Sequence, residues 1–242
     1  MVPEKLINEF VERVRTAAGT NLKAAILYGS AATGDYVADH SDVNLLCVMG
    51  ETSFAAIEAL APAVEWWSKQ KHRPPLLMSA EEMRRSADVF SIEFLDMRRK
   101  HRLLWGEDIL KTIEIPMRWH RAQLEYELRE KTILLRQRLL QARSAEAKWE
   151  LLLQSVPAFG TLFRHALIAL GDAEAGSKRE AAATLGAKLG IDTSVFGTLL
   201  DIREAKDPAV LRRVVVEDLF ARYLKLVEQV TAAVDTMLDP AA

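Results

Sequence analysis

The stretch Ala24-Ala25-Ile26-Leu27-Tyr28-Gly29-Ser30-Ala31-Ala32-Thr33-Gly34-Asp35, followed by Ser41-Asp42-Val43-Asn44-Leu45-Leu46-Cys47-Val48, constrains this chain more than any other. An apolar run that stops at Gly-Ser reads as a buried strand feeding a tight turn, and a second apolar run begins after one polar loop. Glycine in such a turn lets backbone N–H groups approach an anion closely, and Ser30 adds a hydroxyl donor where a helix should begin. The turn therefore reads as a phosphate seat, with Gly34 and Ser41 counted among its binding residues. Asp42 stands at the start of the second strand, where a carboxylate can hold a hard cation against the same phosphates.

This arrangement resembles the nucleotidyltransferase superfamily that includes DNA polymerase beta and the aminoglycoside nucleotidyltransferases. The family pattern is Gly-Ser, roughly ten residues, then Asp-hydrophobic-Asp or Asp-hydrophobic-Glu. Here it stands as Gly29-Ser30 and Asp42-Val43-Asn44. The resemblance implies transfer of a nucleoside monophosphate from a nucleoside triphosphate to a hydroxyl, with Mg2+ held by two carboxylates and a third from a later strand. Asn44 occupies the place of the second carboxylate. A neutral amide brings a dipole where a divalent ion favours a charge.

The composition sets bounds. With 242 residues, 50% of them hydrophobic and 27% charged, the chain is long enough for two modest cores. A net charge of −2 gives no wholesale attraction to nucleic acid, which is not expected as a partner. The single cysteine, Cys47, lies in an apolar run and reads as a buried small hydrophobe. No apolar run reaches the roughly 20 residues that cross a bilayer, and Glu4, Glu9 and Glu12 stand where a signal peptide would be apolar. The expectation is a cytoplasmic protein without a membrane partner. A homo-oligomer stays open.

Along the chain, Leu6, Phe10, Val11 and Val14 recur at helical spacing, predicting a helix over 3–18 that ends near Gly19. A strand over 22–28, a turn and short helix over 29–34, a loop over 35–41 and a central strand over 43–49 follow. Ser53 should cap a helix to about residue 70 with Phe54, Ile57, Leu60, Ala61 and Val64 inside, Pro62 as a kink and Trp66-Trp67 sealing its end. A short strand over 74–78 leads to a helix capped by Ser79 and Glu82. Residues 89–97 read as a strand interrupted by Glu93 and Asp96. Glu93 is the favoured match to the family's third acid, as metal ligand or general base, with Asp96 its competitor, because an odd separation puts the two on opposite faces of a strand. The basic run from Arg98 to Arg102 before Leu103-Leu104-Trp105-Gly106-Glu107 also resembles the family there, and reads as a solvated face. His101 is given no metal role.

From Pro116 onward the pattern is helical only. Helices are expected over 117–142, 145–170 with a break at Pro157, 177–189 capped by Ser177 and Glu180, 193–205 and 208–237. Leu124, Leu128, Ile133, Leu135 and Leu139 should line the first; Leu211, Val215, Leu219, Tyr223, Leu226 and Val230 the last. Arg129, Arg136 and Arg143 form a stripe that reads as solvent-facing. The fold class is α+β: a nucleotidyltransferase-like mixed sheet over 1–115, then an all-α bundle over 116–242. In the aminoglycoside enzymes such a bundle closes one wall of the cleft and helps choose the acceptor, so the resemblance implies a small-molecule acceptor, aminoglycoside-like among the options. Three readings stay open: a Mg2+-dependent, NTP-using transferase, a transferase fold that binds nucleotide without turnover, and a partner-binding protein.

Overall fold

The structure is a computed structural model and describes residues 2–33, 42–172, 176–205 and 215–237. The chain divides into two compact units, Met1–Met117 and Arg118–Ala242. The first contains α1 (Glu4–Ala18), β1 (Leu22–Tyr28), a 3-10 turn (Gly29–Ala32), β2 (Asn44–Met49), α2 (Phe54–Lys69), β3 (Leu76–Ser79), α3 (Ala80–Ser86), α4 (Ser91–Arg99), β4 (His101–Gly106) and the one-turn α5 (Ile109–Thr112). Its four strands form a mixed sheet in the order β3-β2-β1-β4, with β2 and β3 parallel and the other pairs antiparallel. The α+β class follows.

Strand alternation sorts the apolar residues into two cores. Leu45, Cys47 and Met49 of β2 face Ile7, Phe10 and Val14 of α1 and Leu60, Ala63 and Trp67 of α2. Leu46 and Val48 face Met83 of α3, Phe94 and Met97 of α4, and Leu110 and Ile113 after β4. A strand covered on both faces needs an unbroken apolar run, which β1 carries from Ala24 to Tyr28, past the exposed Lys23, and β2 from Leu45 to Met49, after Asn44. Cys47 is buried, and desolvation pushes its thiol up to about 12, so it packs as a protonated hydrophobe.

Three expectations in this unit are corrected. Residues 89–97 are not a strand: α4 occupies Ser91–Arg99, with Glu93 in its first turn and Arg98 and Arg99 in its last. Those charges complement the helix dipole at each end, and the buried Phe94 and Met97 are one turn apart. On a helix, Glu93 and Asp96 are neighbours on one side, not on opposite faces as a strand would place them. The fourth strand lies instead at His101–Gly106, beginning at the end of the basic run, whose Arg102 stays exposed. Third, α2 keeps its Ser53 cap, but Phe54 and Ile57 are exposed and the inner stripe is Leu60, Ala63 and Trp67. Trp67 is fully buried, stacked on Phe10 at 4.7 Å between ring centroids, and this one side chain sets the rotation of the helix.

The second unit is helical: α6 (His120–Gln141), α7 (Ala145–Ala169), α8 (Lys178–Leu189), α9 (Ser194–Ala205) and α10 (Val216–Asp235). Pro208 and Leu211 lie outside the described residues, and Val215 is exposed ahead of α10. In α6, Ile133 faces solvent and the inward side is His120, Leu124, Leu128, Thr132 and Leu135. Arg129 pairs with Glu125 at 2.7 Å and Arg136 with Glu228 at 2.6 Å, as a solvent-facing stripe should. Neither proline breaks its helix. Pro157 cannot donate to the Leu153 carbonyl one turn back, and Arg203 Nη1 takes that carbonyl at 2.8 Å. By length and composition α7 is a helix able to cross a bilayer, against the expectation of no such run, and 61% of its most apolar stretch is buried inside the fold.

Candidate active site

One end of the sheet gathers the residues singled out by the sequence. Tyr28 closes β1 and pairs in register with Asn44, the first residue of β2, and on the other side with His101, the first of β4. Gly29 follows with φ +78°, a left-handed conformation that favours glycine, and its N–H donates to the Lys100 carbonyl at 2.8 Å. That bond fastens the turn to the segment between α4 and β4. A Cβ at Gly29 would lie 3.2 Å from Asn44 Nδ2, so the absent side chain keeps the space over the amide open. Ser30 sits in the 3-10 turn, where its carbonyl accepts from Thr33 N at 3.3 Å. Gly34 and Ser41 lie outside the described residues.

Asp42 precedes β2 by two positions. Its Oδ2 lies 3.4 Å from Arg73 Nη2, with both side chains exposed. Asn44, in step with Leu46 and Val48, belongs to the sheet face that α4 covers, and α4 carries Glu93 and Asp96, both half-buried. The Asp96 carbonyl accepts from Lys100 N at 3.1 Å, so the helix ends one residue from the bond that holds Gly29. Among the described residues no three His, Cys, Asp or Glu side chains are gathered as a metal cluster. The donors near the turn are the Asp42 carboxylate and the Asn44 amide. Hard oxygen donors, few in number and half open to solvent, suit Mg2+, which keeps several waters and completes its shell with substrate phosphates. Asp42 already faces a cation in the Arg73 guanidinium.

Two residues beside Asp42 have no role in the sequence reading. His72 stacks on Trp67 at 4.2 Å, and desolvation there lowers its pKa while Asp42 pulls the other way. The Arg73 carbonyl accepts from Trp67 Nε1 at 2.8 Å. The signal that finds both residues is the parallel pairing of β2 with β3. Its register, Leu46 opposite Leu76, carried back beyond the paired residues, sets His72 and Arg73 abreast of Asp42 and Val43. His101, excluded as a metal ligand, has Asp108 Oδ1 3.0 Å from Nε2 and the Arg98 carbonyl 2.9 Å from Nδ1.

A glycine-marked turn after a first strand, an acid before its antiparallel neighbour and a mixed sheet with helices on both faces are the parts of one known domain. The family described as nucleotidyltransferase domain matches residues 5–101. The first unit is a nucleotidyltransferase domain. The crystal structure of spectinomycin adenyltransferase AAD(9) from Enterococcus faecialis, with ATP and spectinomycin, matches with a TM-score of 0.57 over 96% of this chain and 99% of that one. At 13% identity this likeness concerns the fold, which extends through both units. No curated protein matches the chain.

Proposed function

We propose that the chain transfers a nucleoside monophosphate from a nucleoside triphosphate to a hydroxyl of a small, aminoglycoside-like acceptor. The observation that carries this reading is the juxtaposition at the end of β1: the open Gly29 turn, the Asn44 amide against it, and the exposed Asp42 carboxylate two residues away. The nucleotidyltransferase match over residues 5–101 supports it, and so does the likeness to an adenyltransferase solved with ATP and an acceptor.

In the reaction the acceptor oxygen attacks the α-phosphorus, the bond from that phosphorus to the bridging oxygen breaks, and pyrophosphate leaves. The catalytic task is to align the two oxygens and to neutralise the charge that develops. A bound Mg2+ supplies Lewis-acid stabilisation of the phosphoryl oxygens. Asp42 and Asn44 are the residues that would hold it. Ser30 donates its hydroxyl to the phosphate tail, and the missing Cβ of Gly29 lets that tail approach the backbone. Glu93 takes the acceptor's proton or adds a carboxylate to the ion, and Asp96, beside it on α4, is the alternative acid.

The test is product formation. Incubation with ATP, Mg2+ and a panel of aminoglycosides including spectinomycin should release pyrophosphate and give an adenylylated acceptor by mass spectrometry. Asp42→Ala should lower the rate on the order of a hundredfold or more. An unchanged rate in that variant, or no product with any acceptor, overturns the reading.

A second reading has its own observation. With an amide for the second acid and no three-acid cluster among the described residues, the domain can serve as a nucleotide-binding module without turnover. Thermal stabilisation by ATP that ignores Mg2+ and yields no product would favour it.

A further inference from the structure

Arg73 occupies a position that the nucleotidyl-transfer reading leaves unused. Its Cα is fixed: the carbonyl is tied to Trp67, which is fully buried, His72 stacks on the same indole, and Pro74 and Pro75 restrict the chain beyond it. Its side chain is the opposite, 77% exposed, and its nearest approach to Asp42 is 3.4 Å, longer than the roughly 2.7–2.9 Å of a strong charge-assisted hydrogen bond. An exposed ion pair at that distance is weak, so a divalent cation can displace the guanidinium. Once displaced, the guanidinium stays near its anchored Cα, at the sheet end where β1 delivers Gly29 and Ser30.

The charge balance gives that movement a purpose. The Asp42 carboxylate and the Arg73 guanidinium neutralise each other, and Asn44 contributes no charge. A triphosphate brings several negative charges, and the site has one acid fewer with which to recruit a compensating cation. A protein cation at this edge fills the deficit, and a planar guanidinium suits phosphate oxygens through paired N–H donors.

The geometry points to Arg73 as a triphosphate-binding residue held in reserve on Asp42, released when the nucleotide's divalent cation takes the carboxylate. This rests on the proposed nucleotide-binding function of the same site. It makes Arg73 a competitor of the metal when nucleotide is absent and an ally of the nucleotide when metal is present. A residue with a merely structural role would not move the two affinities in opposite directions.

The experiment measures both in the full chain: Mn2+ binding without nucleotide by electron paramagnetic resonance, and binding of a non-hydrolysable ATP analogue with Mg2+ by calorimetry. Arg73→Ala should bind Mn2+ about two- to fivefold more tightly, the range that an exposed ion pair spans. It should bind the Mg2+-loaded analogue about tenfold or more weakly, the scale of a charged hydrogen bond. Arg73→Lys, which keeps the charge without the fork, should restore part of both. Unchanged affinities, or two affinities that move in the same direction, overturn the inference and leave the transferase reading standing, provided the unaltered chain binds the analogue. Failure of the unaltered chain to bind it sinks both. Thermal midpoints of the variants, expected to match the unaltered chain because the side chain is exposed, keep a folding defect from passing as a binding one.

Discussion

Strand β1 is held at each end by a glycine with positive φ, and the two glycines differ in what they press against. Gly106 closes β4 opposite Ala24 with φ +83°, and a Cβ there would lie 2.0 Å from the Lys23 carbonyl oxygen and 2.9 Å from the Ala24 Cα. Gly29, at the other end with φ +78°, would meet one atom, the Asn44 side-chain nitrogen at 3.2 Å. Backbone inside a sheet cannot retreat; an amide on the first residue of a strand can. A glycine jammed against main chain closes the fold, whereas a glycine facing a movable polar side chain borders usable space.

The largest expected effect therefore comes from Gly106→Ala. The strained φ and the collision with β1 together should cost about 4 kcal/mol or more, in the exceptional range for a single substitution. Urea unfolding followed by circular dichroism measures it. A cost below about 1 kcal/mol would show that β4 can slide along β1, and the contrast between the two ends would be lost.

Gly29→Ala should behave differently. The left-handed backbone costs an alanine about 1–2 kcal/mol, and the amide can give way by the few tenths of an ångström required. Stability should fall modestly while affinity for Mg2+-ATP drops tenfold or more, since the methyl group enters the space assigned to the phosphate tail. Calorimetry alongside the same urea titration separates the two effects. Equal loss of stability in both glycine variants would break the comparison, and intact nucleotide affinity in Gly29→Ala would move the phosphate seat elsewhere.

This contrast explains which parts of the molecule were legible in the sequence. The two ends of β1 were not distinguishable from residues 29 and 106 alone, because a glycine letter carries φ freedom without saying what lies opposite. The limits of β1 itself were plain, since a covered strand leaves an apolar run, here interrupted only at Lys23, between the polar residues after a helix-ending glycine and Gly-Ser. The capping boxes at Ser79 and Ser177 were equally local: three residues of spacing decide them, and both form as expected. The strand expected over 89–97 gives way to a helix over Ser91–Arg99 because the apolar side chains there suit either period, and the deciding signal is electrostatic, an acid early and two arginines late. Arg73 was invisible for a third reason. Its place beside Asp42 depends on parallel pairing across a crossover helix, and nothing within a few residues of Arg73 records that partner. The placement of Gly29, Asp42 and Asn44 at one sheet end was readable because consecutive antiparallel strands bring them together locally.

The smallest expected effect concerns the link between the two ends. After the Gly106 turn the chain returns along α4: Arg98 Nε donates to the Leu110 carbonyl at 2.9 Å, and Asp108 reaches His101, the residue paired with Tyr28. Desolvation would raise the Asp108 pKa, but hydrogen bonds from His101 and Lys111, with their positive charge, outweigh it and hold the carboxyl below its ordinary value. A carboxyl depressed in the folded chain stabilises the fold at pH values above its unfolded value, near pH 4, and that contribution is lost as pH falls through the lower folded value. Asp108→Asn should therefore cost about 1 kcal/mol at neutral pH, the scale of one partly screened hydrogen bond to a charge. The difference between the variant and the unaltered chain should shrink below about pH 4. Urea titrations at neutral pH and at pH 3 test this. A difference that persists undiminished in acid would mean that Asp108 acts through packing rather than charge, and that β4 is fastened to its return segment by shape alone.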